Sequence, residues 1–485
     1  LEPLEERTVP TTFIVTNLND GGAGSLRQAI TLANADTIAD IIDFAPGLSG
    51  TINLNLAGAD DTNVGGDLDI LNPVSISGPG ANVLTVRQTA VNERVFDVLP
   101  AAGASVAITG LTITGGNGAN GGGGGVHLAT AAILTLGGVE VSGNTSAADV
   151  GGGVRQDDVG SALIIFNSTI ANNSTVTNNG GGVEVLNGSA TITNTTISGN
   201  TAGGVAVNGG GVRITAGSLL LRNSTITGNS ATNDGGGISI VSGVPVTLSS
   251  TIVAGNNAAT AVDVGGAVQA VSDHNLIGID TGLTGITNGT NGNIIGTPAT
   301  PSNPLLGPLQ LNGGQTRTHA LLTGSPALNK GFDSAGLASD QRGIPFLRLS
   351  GVAVDIGAFE VQPNPQPTAQ AFQAAVQAIN SVQPSGIRFT AFALGDVNGD
   401  KVSDIVLAFR LRNDKLLIAS FDGVNGKIVG VFQPFTAAAP SGARVQLVTI
   451  NLNSDPALEI GLIVTPGGFG VPHISAFTLT GSRIL

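Results

Sequence analysis

Gly151-Gly152-Gly153-Val154-Arg155 is followed by Gly180-Gly181-Gly182-Val183-Glu184 and then by Gly209-Gly210-Gly211-Val212-Arg213. Related phrases end at Val126, at Ile238 and, after Gly265-Gly266-Ala267, at Val268, so the steps are 28, 29, 29, 26 and 30 residues. A second phrase keeps the same beat through Val141, Ile170, Ile197, Ile226 and Ile252, followed by Asn144, Asn173, Asn200, Asn229 and Asn256. Each unit holds short β-rich runs between Gly/Asn turns, such as Ala190-Thr191-Ile192-Thr193. A unit this small cannot bury its own apolar face, so neighbours must stack. One coil per unit gives a parallel β-helix, with equivalent residues above one another at ~4.8 Å.

Stacking turns the repeat into columns. Val126, Val154, Val183, Val212, Ile238 and Val268 form an inward aliphatic column. The next residue points outward by strand alternation, giving His127, Arg155, Glu184, Arg213, Ser239 and Gln269. Arg155, Glu184 and Arg213 read as a surface charge ladder between coils, worth roughly a few tenths of a kcal/mol per exposed pair. The Asn column reads as a turn ladder, because Asn tolerates left-handed backbone and bonds its neighbours. The many Asn-x-Ser/Thr triplets are by-products of that pattern.

Composition agrees with this architecture. Gly supplies 73 of 485 residues, and Cys, Met, Trp and Tyr are absent. No disulfide, thiolate metal site or Cys nucleophile can form, and the missing Met marks Leu1 as a processed or cut end. The net charge of −14 argues against nucleic acid as a partner. Mean hydropathy is +0.30, yet no run of apolar residues is long enough for a transmembrane helix.

Further motifs lie outside the central repeat. Val15-Thr16-Asn17-Leu18-Asn19-Asp20-Gly21-Gly22-Ala23-Gly24-Ser25-Leu26-Arg27-Gln28-Ala29-Ile30 predicts a short helix with Ser25 as N-cap and an apolar face of Leu26, Ala29, Ile30 and Ala33. Such a helix would cover the open first coil. At the far end stand Asn275-Leu276-Ile277-Gly278, Asn312-Gly313-Gly314-Gln315-Thr316, Asp340-Gln341-Arg342-Gly343 and Asp355-Ile356-Gly357-Ala358-Phe359-Glu360. In this order the motifs resemble the right-handed β-helix domains of large bacterial surface and secreted proteins (choice-of-anchor and polymorphic-outer-membrane-like repeats). That resemblance implies an exported, cell-surface or secreted protein and says little about chemistry.

Pro363-Asn364-Pro365-Gln366-Pro367 reads as a stiff spacer, followed by a short helix within 368–379. A new repeat of about 55 residues then begins: Pro384-Ser385-Gly386-Ile387-Arg388 returns as Pro440-Ser441-Gly442-Ala443-Arg444. In the first copy Asp396, Asn398, Asp400, the Val402 carbonyl and Asp404 alternate around one loop. This is the oxygen-rich spacing that a hard Ca²⁺ ion requires. In the second copy Asn451, Asn453, Asp455 and Glu459 take those places with less charge. The loops resemble the Ca²⁺ loops of integrin-like (FG-GAP) propeller blades. The expected organisation is therefore an extended segment at 1–11, the β-helix at 12–362, the linker at 363–383 and two blade-like repeats at 384–485. Two blades cannot close a propeller, and the second copy stops early.

Catalysis needs chemistry that the repeat does not supply. Polysaccharide lyases and hydrolases need facing carboxylates or a Ca²⁺ cluster with a base. Residues 101–260 hold six acids (Glu140, Asp149, Asp157, Asp158, Glu184, Asp234), three Arg and one His, with no acids in register between coils. Asp60-Asp61 and Asp67-Leu68-Asp69 read as a solvated acidic loop. The expectation is a non-enzymatic extracellular structural protein: a β-helical stalk with a Ca²⁺-stabilised C-terminal module. Self-association would run through the apolar stretch Val9–Val15 or the unfinished blade, with a surface filament as the sharper form. The alternative is a polysaccharide-binding adhesin, lyase or hydrolase with glycans as partners.

Overall fold

The computed structural model describes residues 10–56, 58, 61–118, 121–362 and, beyond these, 375, 377, 388–397, 403–411, 413, 415–423, 426–434, 444–450, 459–465 and 473–478. Two compact units divide the chain, Leu1–Val361 and Gln362–Leu485.

The first unit is a parallel β-solenoid of about nine turns. Three long sheets of nine, nine and ten strands run its length, and a fourth of four two-residue strands lies in its central coils. All strand pairs in these sheets are parallel and in register, for example Val154↔Val183↔Val212 and Val141↔Ile170↔Ile197. Alternate residues of each strand point inward and build one continuous aliphatic core from Val15 to Ile295. At ~4.8 Å per coil the stack is roughly 40 Å long.

Two column ends differ from expectation. Ile238 pairs with Val264, so the aliphatic column ends there, and Val268 packs into the core four residues later. Ile226 pairs with Val253, one residue past the expected Ile252, whose partner is Thr225. Both slips occur where the paired spacing shortens, to 26 residues from Ile238 to Val264 and 27 from Ile226 to Val253.

The Asn column is a buried ladder. The Nδ2 amide of Asn144 donates to Oδ1 of Asn173 at 3.0 Å, Asn173 to Asn200 at 3.0 Å, Asn200 to Asn229 at 2.9 Å and Asn229 to Asn256 at 2.9 Å. Asn256 ends the chain on the carboxylate of Asp263 at 2.9 Å. Each ladder amide also donates to a backbone carbonyl of the coil before it, Asn200 to Ile170 for instance. These residues are not themselves left-handed. The residue just before each one is: Gly143, Asn172, Gly199, Gly228 and Gly255, with φ from 54 to 73°. A separate left-handed column, Asn167, Asn194 and Asn223, places the Asn of the triplets; Asn194 and Asn223 are buried.

The predicted cap forms. Leu26–Ala33 is a helix whose Ser25 side chain accepts from the Gln28 N–H, and it buries Leu26, Ala29, Ile30 and Ala33. Thr12–Val15 pairs with Asp40–Phe44, so this apolar stretch is the outermost strand of its own chain's first sheet.

Coils end at Ile295. The remainder of the unit runs back along the third sheet and includes an antiparallel hairpin, Leu306–Gln310 with Thr318–Leu321. Thr169 Oγ1 donates to the Arg317 carbonyl at 2.6 Å, and the Gln341 side chain bridges Thr169 and Thr196 on adjacent coils. The Ala358 N–H donates to Thr225 Oγ1 at 3.0 Å and the Gly357 N–H to the Ser250 carbonyl at 2.9 Å. The outward Thr column is thereby buried. The returning segment is locked by Arg342, whose guanidinium lies 3.8 Å from the centroids of both Phe346 and Phe359 and forks onto Asp340.

The described residues of the second unit form two antiparallel sheets. One runs Arg388–Gly395, Asp404–Arg410, Leu416–Phe421 and Ile428–Phe432; the other runs Arg444–Ile450, Glu459–Thr465 and His473–Phe477. They share a core containing Val406, Ile418, Leu447, Ile460 and Phe477. Thr449 Oγ1 donates to the Leu394 carbonyl at 2.7 Å, joining equivalent strands of the two copies.

Candidate functional site

The solenoid's densest set of ionisable groups lies outward of its second long sheet. Register extends the outward column back two coils, to Asp97 and Asp69 ahead of His127. Two acids are therefore in register after all, but earlier than residues 101–260. The Gly-rich turn preceding each strand folds over this column, so outward does not mean exposed. An added Cβ at Gly180 would stand 2.4 Å from Glu184 Oε2, and Glu184 is fully buried.

The groups form an alternating chain of charge across the coils. Arg94 Nε lies 3.2 Å from Asp67 Oδ2, and its Nη1 is 2.8 Å from Asp97 Oδ2. His127 Nδ1 lies 3.0 Å from Asp97 Oδ1 and also contacts Arg94 Nη1. His127 Nε2 is 3.0 Å from Asp157 Oδ2. Arg155 continues the chain, with Nε 2.6 Å from Asp157 Oδ1 and Nη1 2.5 Å from Asp149 Oδ2. The expected pairing of Arg155, Glu184 and Arg213 does not form. The three are in register, but Arg155 turns to Asp157 and Asp149, while Glu184 Oε1 accepts from Thr215 at 3.0 Å. Glu184 Oε2 and Arg213 Nε are buried without a hydrogen-bond partner.

Burial and pairing set the protonation states. Burial alone would lower the His127 pKa, but hydrogen bonds to Asp157 and Asp97 outweigh it and raise it above 6.5. Burial opposes ionisation of Asp157, yet His127 and Arg155 hold its carboxyl below the usual range. Burial pushes Asp67 up to about 7 against the attraction of Arg94. Burial likewise pushes Glu184 up to about 7 against the attraction of Arg213.

This chemistry holds coils together better than it activates a substrate. His127 is buried, with Nδ1 against Asp97 and Arg94 and Nε2 against Asp157, so both ring nitrogens meet groups of this chain on neighbouring coils. A carboxyl near pH 7 is the usual mark of a general acid, but Glu184 lies sealed beneath backbone. Carboxylate oxygens of Asp61, Asp69 and Asp97 come within 4.8 Å of one another. Asp67 and Asp69 are buried, which corrects the solvated-loop reading for that pair; Asp61 is exposed, and Asp60 lies outside the described residues. The Asn63 N–H donates to Asp69 Oδ2 at 2.7 Å, and Asp97 Oδ2 lies 2.8 Å from Arg94 Nη1, so protein donors meet one oxygen of each of these two buried carboxylates.

The expected Ca²⁺ loop lies in the second unit. Asp396 and Asp404 are buried where the strands Arg388–Gly395 and Asp404–Arg410 meet, with Gly395 opposite Asp404. Asp404 Oδ2 accepts the Val397 N–H at 3.0 Å and Oδ1 the Gly423 N–H at 2.8 Å. Asn398, Asp400 and Val402 lie outside the described residues, as do Asn451, Asn453 and Asp455; Glu459 begins its strand, its side chain likewise outside them.

No protein-family model, curated protein or solved structure matches the chain. No helix among the described residues is long and apolar enough to cross a membrane.

Sequence reading missed Asp97 and Asp69 as part of the column. Their coils lack the triple-Gly phrase, but Val95-Phe96-Asp97-Val98 and Asp67-Leu68-Asp69-Ile70 keep the strand alternation that would have placed them.

Proposed function

We propose that the chain is a non-enzymatic structural protein of the cell surface or extracellular space. In this reading the solenoid is a stiff spacer and the C-terminal unit a module stabilised by Ca²⁺ at Asp396, Asn398, Asp400, Val402 and Asp404. The observation that carries the reading is His127, held at both ring nitrogens by Asp97 and Asp157. The solenoid's best acid–base candidate is committed to joining coils. Export and surface display rest on the motif resemblance of residues 12–362, and the Ca²⁺ ion rests on loop spacing. Self-association belongs to the same reading.

Incubation with a panel of acidic polysaccharides and Ca²⁺ tests it, followed by ultraviolet absorbance of unsaturated products and by reducing-end assay. The expected result is no turnover. Turnover abolished by His127→Ala or Glu184→Gln, in protein that still folds, would replace this reading with a polysaccharide lyase or hydrolase.

A further inference from the structure

The hairpin of Leu306–Gln310 with Thr318–Leu321 meets the coils in two ways. At its base Leu306 and Leu321 pack with Ile252, Leu276 and Ile356 in a small apolar cluster. Toward its tip the ties are polar. Thr169 Oγ1 donates to the Arg317 carbonyl, Thr316 Oγ1 donates to the Asn167 carbonyl at 3.2 Å, and Arg317 Nη2 lies 2.7 Å from Glu140 Oε1. Gln341 Nε2 donates to Thr316 Oγ1 and the Arg317 carbonyl. One more tie runs through His319. Its Nε2 lies 2.9 Å from Ser198 Oγ on the third sheet, and its Nδ1 lies 2.7 Å from the Gly307 carbonyl on the paired strand of the hairpin. Ser198 is buried, so this bond joins hairpin to coil.

The two contacts set the state of the ring. A carbonyl only accepts, so Nδ1 carries the hydrogen that meets Gly307. In the neutral ring Nε2 is then the acceptor, and the Ser198 hydroxyl donates to it. A proton taken up at Nε2 ends that role and places a cation in a half-buried site. The surroundings offer that cation no counter-charge. Arg317, two residues along the same strand, acts on it with the same sign, and Glu140 on the third sheet is bonded to Arg317. Leu306–Gln310 carries no charged side chain, and neither do the coil strands Thr169–Ala171, Thr196–Ser198 and Thr225–Thr227. Burial and the Arg317 charge hold the His319 pKa below 6.5, against the Gly307 hydrogen bond.

We propose that this hairpin is a pH-sensitive clasp: neutral His319 helps to fasten it to the third sheet, and protonation of the ring loosens it. The clasp goes beyond the structural reading above and requires no ligand or partner. Imidazole is the side chain that ordinarily titrates near neutral pH, which sets this tie apart from the amide and hydroxyl bonds beside it. An imidazole that is harder to protonate in the closed hairpin than in the open one contributes its stability above pH 6.5, and that contribution is lost as pH falls below this value. The direction is opposite to that of Asp67 and Glu184, whose raised pKa values favour the folded coils in acid. Acid therefore loosens the hairpin locally while the coils beneath it stay closed. Loosening uncovers Ser198 and the outward face around it.

Hydrogen exchange of the full chain tests this, read by mass spectrometry from pH 5 to 8 and corrected for intrinsic exchange rates. Peptides within 304–322 should open about threefold or more often at pH 5 than at pH 8, and coil peptides within 126–240 should not. His319→Gln should erase the difference. Nitrogen chemical shifts of the His319 ring in the parent protein give a second reading. The Nδ1–H tautomer at pH 8 and a titration midpoint below 6.5 are expected. Exchange within 304–322 that is indifferent to pH, a pH dependence that survives His319→Gln, or an Nε2–H ring would each overturn the proposal. Each such failure would leave the absence of polysaccharide turnover as a separate result.

Discussion

Asn200 makes the cost of a broken ladder measurable. Its Oδ1 accepts from the N–H and the amide of Asn173, and its own amide donates to Asn229 and the Ile170 carbonyl. Asn200→Ala strands these buried groups, at roughly 1–3 kcal/mol each. A loss of about 3 kcal/mol or more in equilibrium unfolding is expected. Gly181 shows the other constraint, since an added Cβ would lie 2.6 Å from the Gly210 carbonyl of the next coil. Gly181→Ala should destabilise by about 1–3 kcal/mol or more, because backbone on both sides cannot yield. The pH response follows from the same burial. Asp67 and Glu184, raised to about 7, and Glu360, raised to about 8 by burial, bind protons more tightly folded than unfolded. Their contribution is complete at pH values below the ordinary carboxyl pKa and fades as pH rises through 7 to 8. His127, raised above 6.5, adds stability that is likewise lost at higher pH. Thermal unfolding followed from pH 5 to 9 should show a falling midpoint, and Glu184→Gln should flatten the fall.

At the scale of elements, the coils were legible and the returning segment was not. Triple-Gly and Asn phrases fix the coil because stacked backbones admit no side chain there, and that requirement recurs at every turn. The charged column was legible only as register. Which cation meets which anion depends on the turns that cover it, and these carry no repeat. The return over the third sheet left a faint trace, the outward run of Thr169, Thr196 and Thr225, unusually small and uncharged for a surface. Arg342 is the bolt of that segment. Arg342→Ala leaves Asp340 buried without its partner, at a local cost of about 3–5 kcal/mol. Limited proteolysis should then cut within 296–361 faster than in the parent protein, while circular dichroism retains the parallel sheet.

For the whole molecule, two compact units imply two unfolding events. Calorimetry should resolve a transition for Gln362–Leu485 that Ca²⁺ moves upward and chelator moves down, with the solenoid transition unmoved. Asp400→Ala should abolish the Ca²⁺ response; a shift in the solenoid transition instead would place the ion elsewhere. The Asn ladder has a consequence for length. From Asn173 to Asn229 every rung meets the same bond below and above, so within the ladder a middle coil cannot tell its position in the stack. Only the end rungs differ: Asn144 Oδ1 accepts the Gly116 N–H, and Asn256 donates the final hydrogen to Asp263. The ladder alone would let a coil be copied or removed between Asn173 and Asn229, but the returning segment bonds Thr169, Thr196 and Thr225 on successive coils and so counts the coils beneath it. Any change in the length of the solenoid must therefore come in whole steps of one coil, about 4.8 Å at a time, with a matching change in that segment.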